Sequence, residues 1–349
     1  MLLSRHLSGQ VVICFILYFC EMLSIKKLNF GFDENRAILN QLNFEVETGE
    51  IFSILGESGS GKSTLLKLIY GLEDADSGEI FYENEKVTGP KFNLIPGNPK
   101  MKFVPQEFDL LDSITVAENV GKYLSNFDLS LKSENIIKAL KVVKMEEFEA
   151  EFPSKLSGGQ RQRVSIARAI ATNPKMLLLD EPYSHLDQPL KFEIRKNIWN
   201  WAKENHCTVI LTTHDINDAM GFSDKIIVLK NGKIIQNASP ENLRNQPENE
   251  YVASLLGEYS ILNSGEMKNL FQIEIPQNQK AIIYPEEISE SEDGTEFQIS
   301  DIRFRGRDYL AEANFQESKV KFYSKLNIEN QFVKLELKHF RLIENHIFK

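Results

Sequence analysis

Residues 51–70, IFSILGESGSGKSTLLKLIY, decide the fold class of this chain. The first five residues are almost wholly apolar, as expected for a strand that is buried on both faces of a parallel sheet. Residues 63–70 have the apolar spacing of a helix, and a glycine-rich turn separates the two segments. A strand, a glycine loop and a helix in this order predict the phosphate-binding unit that opens an α/β domain.

The glycine-rich turn contains the motif G-x-x-x-x-G-K-S without a gap. Its glycines leave backbone N–H groups uncovered, and the helix that follows adds the positive end of its dipole. Lys62 can reach the β- and γ-phosphates of ATP, and the Ser63 hydroxyl can coordinate Mg²⁺. The candidate ATP-binding residues of this loop are Gly56, Glu57, Ser58, Gly59, Ser60, Gly61, Lys62, Ser63 and Thr64.

A second motif, MLLLDE at residues 176–181, reads as an apolar strand that ends in two acids. Such a strand places Asp180 at the carboxyl edge of the sheet, beside the phosphate loop. There the Asp180 carboxylate can hold Mg²⁺. Glu181 can orient and deprotonate the water that attacks the γ-phosphate.

A third motif, LSGGQ at residues 156–160, predicts a second glycine-rich helix start. Ser157 reads as the helix cap, and Gly158 and Gly159 add N–H donors before a strongly helical run. Gln160 completes the segment. One nucleotide does not need two such helix ends from one chain, so the pattern suggests that a second copy approaches across a dimer.

With these motifs the chain resembles the ATPase subunit of an ABC transporter, in which LSGGQ is the family signature. The ordered set of motifs covers nearly all of residues 23–257. The resemblance implies a homodimer, or a pair with a related ATPase subunit, that closes head to tail over two ATP molecules. Residues 56–64 of one subunit would then face residues 157–160 of the other.

The resemblance also implies roles for residues outside these motifs. Gln106 would link the γ-phosphate and Mg²⁺ to the membrane partner, and His214 would contact the γ-phosphate. Phe32 would stack on adenine, with Phe30 as the competing candidate. His185 stands at the dimer contact, where the family usually has a small residue.

The composition changes after residue 237, and short alternating segments from residue 269 onward predict an all-β barrel or sandwich. Residues 239–257 and 283–288 resemble the junction and first strand of the TOBE-type β-domain in certain importer ATPases. Those importers carry sugars, polyamines, ferric iron, or molybdate and sulfate. The six predicted strands are 271–275, 280–284, 297–304, 309–315, 319–323 and 332–340.

The predicted fold class is an α/β P-loop NTPase core with an inserted helical subdomain, followed by a small all-β C-terminal domain. We expect the ATPase domain at 22–257, its helical subdomain at about 107–155 and the TOBE-like domain at 258–349. Residues 1–21 form a doubtful extension. Their apolar run, 11–20, falls short of the roughly 20 residues of a membrane span. We favour a native start at Met22, and a membrane-touching extension or a signal peptide are the alternatives.

Charge and cysteine content argue against several classes of protein. The chain of 349 residues has 40 basic and 50 acidic side chains, a net charge of −10. No basic stripe is present, which argues against a nucleic-acid partner. Three cysteines without a C-x-x-C pair indicate neither a disulfide framework nor zinc, and fit a reducing, cytoplasmic compartment.

The resemblance to importer ATPases implies an ATPase bound peripherally to the cytoplasmic face of the plasma (inner) membrane. It would power transport, with import favoured, through a separate integral membrane permease to which an external substrate-binding protein delivers the substrate. The alternatives are an ABC exporter subunit and a soluble ABC ATPase without a transport role.

Overall fold

The structure is a computed structural model that describes residues 21–33, 36–328 and 332–344. The apolar run 11–20, and with it the choice among the three interpretations of residues 1–21, lies outside the described residues. Within the described part of the chain, no helix is both long enough and apolar enough to cross a membrane.

The elements up to residue 257 form two sheets and the helices around them. The strands are β1 Glu21–Asp33, β2 Arg36–Glu47, β3 Ile51–Leu55, β4 Ser77–Tyr82, β5 Glu85–Lys86, β6 Met101–Val104, β7 Met176–Asp180, β8 Thr208–Thr213, β9 Lys225–Lys230 and β10 Lys233–Ala238. The helices are α1 Lys62–Tyr70, α2 Val116–Val120, α3 Leu129–Val142, α4 Gly158–Ile170, α5 Gln188–Glu204, α6 Ile216–Ala219, α7 Pro240–Asn245 and α8 Glu250–Leu255. Short 3₁₀ turns span Gly121–Tyr123, Glu146–Phe148 and Pro153–Lys155.

The central sheet has the strand order β10-β9-β3-β8-β7-β6, and all its strands except β10 run parallel. Strands β3, β7 and β8 are buried along their whole length, which explains their continuous apolar sequences. Because parallel strands end at the same edge, the loops after β3, β6, β7 and β8 meet there. Each of these loops carries a candidate site residue.

An antiparallel sheet of order β2-β1-β4-β5 packs against one face of the central sheet. The two sheets and α1 share one apolar core, in which the rings of Phe44 and Phe52 stack 5.5 Å apart. This packing holds β1, and with it Phe32, beside the phosphate loop.

The helical subdomain is inserted between β6 and α4 and consists mainly of α2 and α3. Thr115 caps α2 through a capping box with Glu118, and Asp128 caps α3. Apolar side chains of both helices, such as Val120 and Leu140, belong to the same buried core as Val164 of α4. The subdomain is therefore attached to the helix that carries the LSGGQ segment.

The C-terminal module contains two sheets, of order β11-β12-β17 and β15-β14-β13-β16, around a shared apolar core. Together with the sheets described above, this confirms the predicted fold class. The predicted domain boundary after residue 257 lies between α8 and β11. The module's elements are β11 Ser260–Asn263, α9 Ser264–Phe271, β12 Gln279–Ile283, a 3₁₀ turn Pro285–Glu287, β13 Ile288–Phe304, β14 Tyr309–Phe315, β15 Ser318–Ser324, β16 Phe332–Leu337 and β17 Arg341–Glu344.

One predicted strand of this module is wrong. Residues 271–275 alternate like a strand, but Phe271 ends α9 and the following residues have no regular structure. The helix begins with a capping box between Asn263 and Glu266 and ends at Gln272, whose φ of 59° is left-handed. Ile275 is nevertheless buried in the module's core. The alternation thus reflects packing of an irregular segment, which a period-of-two pattern does not distinguish from a strand.

Candidate active site

The phosphate loop wraps around the side chain of Lys62. The Lys62 ammonium donates to the carbonyl oxygens of Gly56 (2.9 Å) and Glu57 (3.0 Å), and its Nζ lies 3.7 Å from Glu181 Oε1. Burial lowers the pKa of Lys62 from its ordinary value, while the carboxylates of Glu181 and Asp180 act in the opposite direction. The loop therefore presents one buried positive charge, held in place, at the start of α1.

Two glycines of this loop are required by close contacts. A Cβ on Gly56 would lie 2.3 Å from the Leu229 carbonyl oxygen, and one on Gly61 would lie 2.6 Å from Leu39. Gly61 also has a φ of 104°, in the left-handed region that favours glycine. Because Gly61 has no side chain, no side-chain cap covers the first N–H groups of α1.

Asp180 lies at the end of β7 with hydroxyl groups on two sides. Its Oδ1 accepts from Ser63 Oγ (2.9 Å) and from Thr212 Oγ1 (2.6 Å), and the residue is buried. Hydroxyl and carboxylate oxygens are the ligands that Mg²⁺ prefers, so Ser63 and Asp180 fit this ion. Sequence reasoning missed Thr212, because its place next to Asp180 depends on β8 lying between β3 and β7.

Glu181 follows Asp180 in an uncommon backbone conformation, with a φ of 45°. Its N–H donates to Thr212 Oγ1 (3.1 Å), which helps to hold this turn. The side chain reaches two other predicted site residues: Oε1 faces Lys62, and Oε2 lies 3.1 Å from Nδ1 of His214. A carboxylate, a histidine and the phosphate-loop lysine therefore lie together at the sheet edge, where a carboxylate can serve as a general base.

A cavity of about 640 Å³ extends from the phosphate loop toward Phe32. Phe32 is 66% exposed on its wall, whereas Phe30 is buried and meets Phe32 edge-on, with ring centroids 5.1 Å apart. The structure thus leaves Phe32, rather than Phe30, available to a ligand. The predicted residues on this wall are Phe32, Ser58, Gly59, Gly61, Lys62, Ser63, Thr64, Gln106 and Glu181. Asn231 and Gly232, the turn between β9 and β10, also line it and were missed.

The LSGGQ segment lies apart from this cavity in the same chain. Ser157 and Gln160 form a capping box at the start of α4: Ser157 Oγ accepts from the Gln160 N–H (3.3 Å), and Gln160 Oε1 accepts from the Ser157 N–H (2.8 Å). Neither residue is part of the cavity wall, and Gly158 and Gly159 are not either. The structure therefore brings together the residues of the sheet edge and leaves the signature segment separate.

Comparison with known proteins places this chain in a family. The family model described as ABC transporter matches residues 39–184. A probable sulfate/thiosulfate import ATP-binding protein of Chlorella vulgaris is 41% identical over 225 residues, which are 63% of this chain and 92% of that protein. This chain belongs to the ABC transporter ATP-binding proteins. The resemblance drawn from the sequence motifs is confirmed, and as a member of this ABC family the chain binds and hydrolyses ATP as the ATPase subunit of a transporter.

Solved structures of ABC proteins have the same fold. A dimeric ATP-binding cassette in a post-hydrolysis state with ADP and Pi is 33% identical, with a TM-score of 0.56 over 63% of this chain and 99% of that one. A component of an ABC transporter complex of Clostridium perfringens is 28% identical, with a TM-score of 0.56 over 64% and 90%. A bacterial Atm1-family ABC exporter with ATP bound is 28% identical, with a TM-score of 0.58 over 67% of this chain and 41% of that one.

Proposed function

We propose that this ABC transporter subunit powers import through a separate integral membrane permease, from the cytoplasmic face of the membrane. The observation that carries the proposal is the meeting of Lys62, Glu181 and His214 at one sheet edge, apart from the LSGGQ segment. Such an arrangement supports ATP hydrolysis that depends on a second subunit. The import ATP-binding protein of Chlorella vulgaris supports the direction of transport.

The phosphate-binding part of the site would hold ATP by its phosphates and adenine. The backbone N–H groups of residues 56–64 and the Lys62 ammonium would bind the β- and γ-phosphates. The Phe32 ring would stack on adenine. Ser63, Asp180 and Gln106 would hold Mg²⁺, which neutralises phosphate charge when it is bound.

Hydrolysis would depend on Glu181 and His214. The Glu181 carboxylate would accept the proton of the water that attacks the γ-phosphate. His214, 3.1 Å from Glu181 Oε2, would orient that carboxylate and donate to the γ-phosphate. Proton acceptance and phosphate contact would thus be divided between two neighbouring side chains.

The second half of the site would come from another copy of this chain, or from a related ATPase subunit. Ser157, Gly158, Gly159 and Gln160 of that subunit would close on the phosphates, and residues 184–187 would form the dimer contact. Closure would move the helical subdomains against the permease, around residues 112–118. An external substrate-binding protein would supply the substrate.

The variant Glu181→Gln separates ATP binding and dimer formation from ATP hydrolysis. We expect it to bind ATP and form a stable dimer but to lose most turnover, because an amide cannot accept the proton. The control is Glu45→Gln, an exposed acid on β2, which should behave as the wild type. Turnover close to wild type in Glu181→Gln would overturn the assigned base.

The same variant, tagged and locked with ATP in membranes of the native host, identifies the partner. Co-purification of a multi-span permease, with or without a substrate-binding protein, would support the transport proposal. Recovery of ribosomes or of soluble partners alone would overturn it and leave the ATPase chemistry intact.

An exporter subunit is the second candidate, because the fold also matches the Atm1-family exporter with ATP bound. The C-terminal β-module distinguishes the two. If removal of residues 258–349 leaves assembly with the permease unaffected, the exporter is favoured. If assembly or its regulation is lost, the importer is favoured.

A further inference from the structure

A buried cluster of charged side chains joins α5 to the turn after His214. Lys191 Nζ lies 2.7 Å from Asp215 Oδ2 and 2.9 Å from Asp218 Oδ1, and Arg195 Nη1 lies 3.2 Å from Asp218 Oδ1. The side chains of Lys191, Arg195 and Asp218 are only 8%, 6% and 5% exposed, and that of Asp215 is 22% exposed. Two cations of one helix thus hold two acids of one short turn.

This cluster determines the backbone on both sides of His214. Asp218 Oδ2 accepts from the hydroxyl of Thr213 (2.7 Å), and the same hydroxyl accepts from the Asp215 N–H (3.0 Å). Arg195 also donates to the Asn217 carbonyl oxygen. The imidazole of His214 is more than half exposed, so its position beside Glu181 depends on the backbone that carries it.

The other end of the cluster is tied to the proposed dimer contact. Segment 184–187 ends at Asp187, whose side chain caps α5 by accepting from the Leu190 N–H (3.2 Å). The Lys191 N–H donates to the Asp187 carbonyl oxygen (2.8 Å). A single helical turn therefore connects the dimer-contact segment to the cluster.

Buried ion pairs are a poor means of stabilising a fold, because apolar side chains of similar volume commonly do as well or better. They do impose a defined geometry, since each charge must meet its partner at a fixed distance and direction. Four such groups at one junction, next to a functional histidine, are better explained by positioning than by stability.

We propose that Lys191, Arg195, Asp215 and Asp218 are positioning residues that set His214 against Glu181. Through α5 they tie the position of His214 to segment 184–187, so that closure of the second subunit on this segment places His214 for hydrolysis. This inference rests on the role proposed above for His214.

The variant Lys191→Met removes the charge that bridges both acids and keeps the aliphatic stem. We expect ATP turnover to fall by about 10- to 100-fold, because small displacements of a catalytic group have effects of this size. ATP affinity of the isolated subunit should stay within about two-fold of wild type, because the phosphate loop is not touched. Lys191→Arg, which keeps the charge, should restore most of the turnover.

The matched control is Lys203→Met on the same helix. Lys203 pairs with Asp224 near the surface, with side chains 35% and 43% exposed, away from His214. It should have wild-type turnover. If Lys191→Met also has wild-type turnover, or if it loses ATP affinity in parallel with turnover, the positioning role is overturned.

A double variant separates positioning from general structural damage. If the cluster acts through His214, adding Lys191→Met to His214→Ala should cause little further loss, because the two changes remove the same interaction. A further loss as large as that in the wild-type background would overturn this inference and leave the proposed ATPase mechanism standing. Wild-type turnover in His214→Ala itself would overturn the role of His214, and this inference with it.

The same comparison is made with Arg195→Lys if Lys191→Met does not fold, as judged by circular dichroism. This variant keeps the charge but loses the guanidinium group, whose Nη1 reaches both Asp218 and the Asn217 carbonyl oxygen. Reduced turnover with unchanged ATP affinity, and no further loss in the His214→Ala background, would support the proposal. Wild-type turnover would overturn it.

Discussion

Two helices of the ATPase domain, α1 and α4, begin in glycine-rich turns, and they begin in different ways. At α1 the cap residue is Gly61, which has a left-handed backbone and no side chain with which to accept a hydrogen bond. At α4 the cap residue is Ser157, which forms a reciprocal capping box with Gln160. The first turn of α1 faces a cavity lined by Lys62 and Glu181, whereas the first turn of α4 lies outside that cavity.

This difference indicates that the N-termini of α1 and α4 have different functions. The N–H groups at the start of α1 lie beside the buried Lys62 ammonium of the same chain, and this positive environment favours a phosphate without a partner. The start of α4 is stabilised by its own capping box and by an ion pair between Arg161 and Asp112 (3.1 Å), and residues 157–160 do not line the cavity. It can meet a nucleotide through a second subunit, as the dimeric ABC cassette of similar fold suggests. Three predictions test this comparison.

The largest effect is expected for Lys62→Met, which removes the buried charge at the start of α1. We expect ATP binding to weaken by about 100-fold or more, because charge-assisted hydrogen bonds to the phosphates are lost. Titration with a fluorescent ATP analogue measures this. The control is Lys67→Met, an exposed lysine on the same helix, which should bind normally. Near-normal binding by Lys62→Met would remove the distinction between the two helix starts.

At α4 the two glycines should respond differently to alanine. A Cβ on Gly158 would be 3.7 Å from its nearest neighbour, whereas one on Gly159 would lie 2.6 Å from the His185 carbonyl oxygen. Gly158→Ala should therefore fold and bind ATP normally, yet lose turnover by about ten-fold or more where a second subunit must approach closely. Gly159→Ala should destabilise the isolated subunit by about 1–3 kcal/mol.

Urea unfolding and steady-state ATPase assays distinguish these outcomes. Wild-type turnover in Gly158→Ala would mean that the start of α4 does not contact nucleotide. Equal stability of the two variants would contradict the packing of Gly159 against His185.

The smallest effect is expected at the far wall of the α1 cavity. Phe32→Ala should weaken ATP binding by about 1–2 kcal/mol, within the range that one base stacked on one aromatic ring contributes. Phe92→Ala removes an aromatic ring of similar exposure that is not on the cavity wall, and should have no effect. If both variants bind ATP like the wild type, adenine does not stack on Phe32.

The competition between Phe30 and Phe32 illustrates a limit of sequence reasoning. Residues two apart on a regular strand share a face, so both rings are equivalent candidates. In the structure the pairing of β1 with β2 shifts register around Gly31, which redirects the side chains that follow. Phe30 enters the core and Phe32 faces the cavity. The position of such a bulge depends on how β1 pairs with β2, which the sequence of β1 alone does not show.

The predicted strand at 271–275 failed for a related reason. Its alternating side chains are consistent with a strand, but the helix α9 that ends at Phe271 begins at a capping box on Asn263, upstream of the alternating residues. Phe271 and Ile275 both contact the module's core although they belong to a helix end and an irregular segment. Burial alone produced the pattern, and the backbone conformation was set by the preceding helix.

The phosphate loop, the acidic strand end, the LSGGQ helix start and the fold class that their order requires could all be predicted from the amino-acid sequence. These features are local, because glycine freedom, helix capping and the spacing of side chains operate within a few bonds of each residue. Three features required the folded chain: Thr212 joins Asp180, Phe32 faces the cavity, and Lys191 and Asp218 form an ion pair next to the turn that carries His214. Those contacts depend on strand order, register and helix packing, which arise from the whole chain.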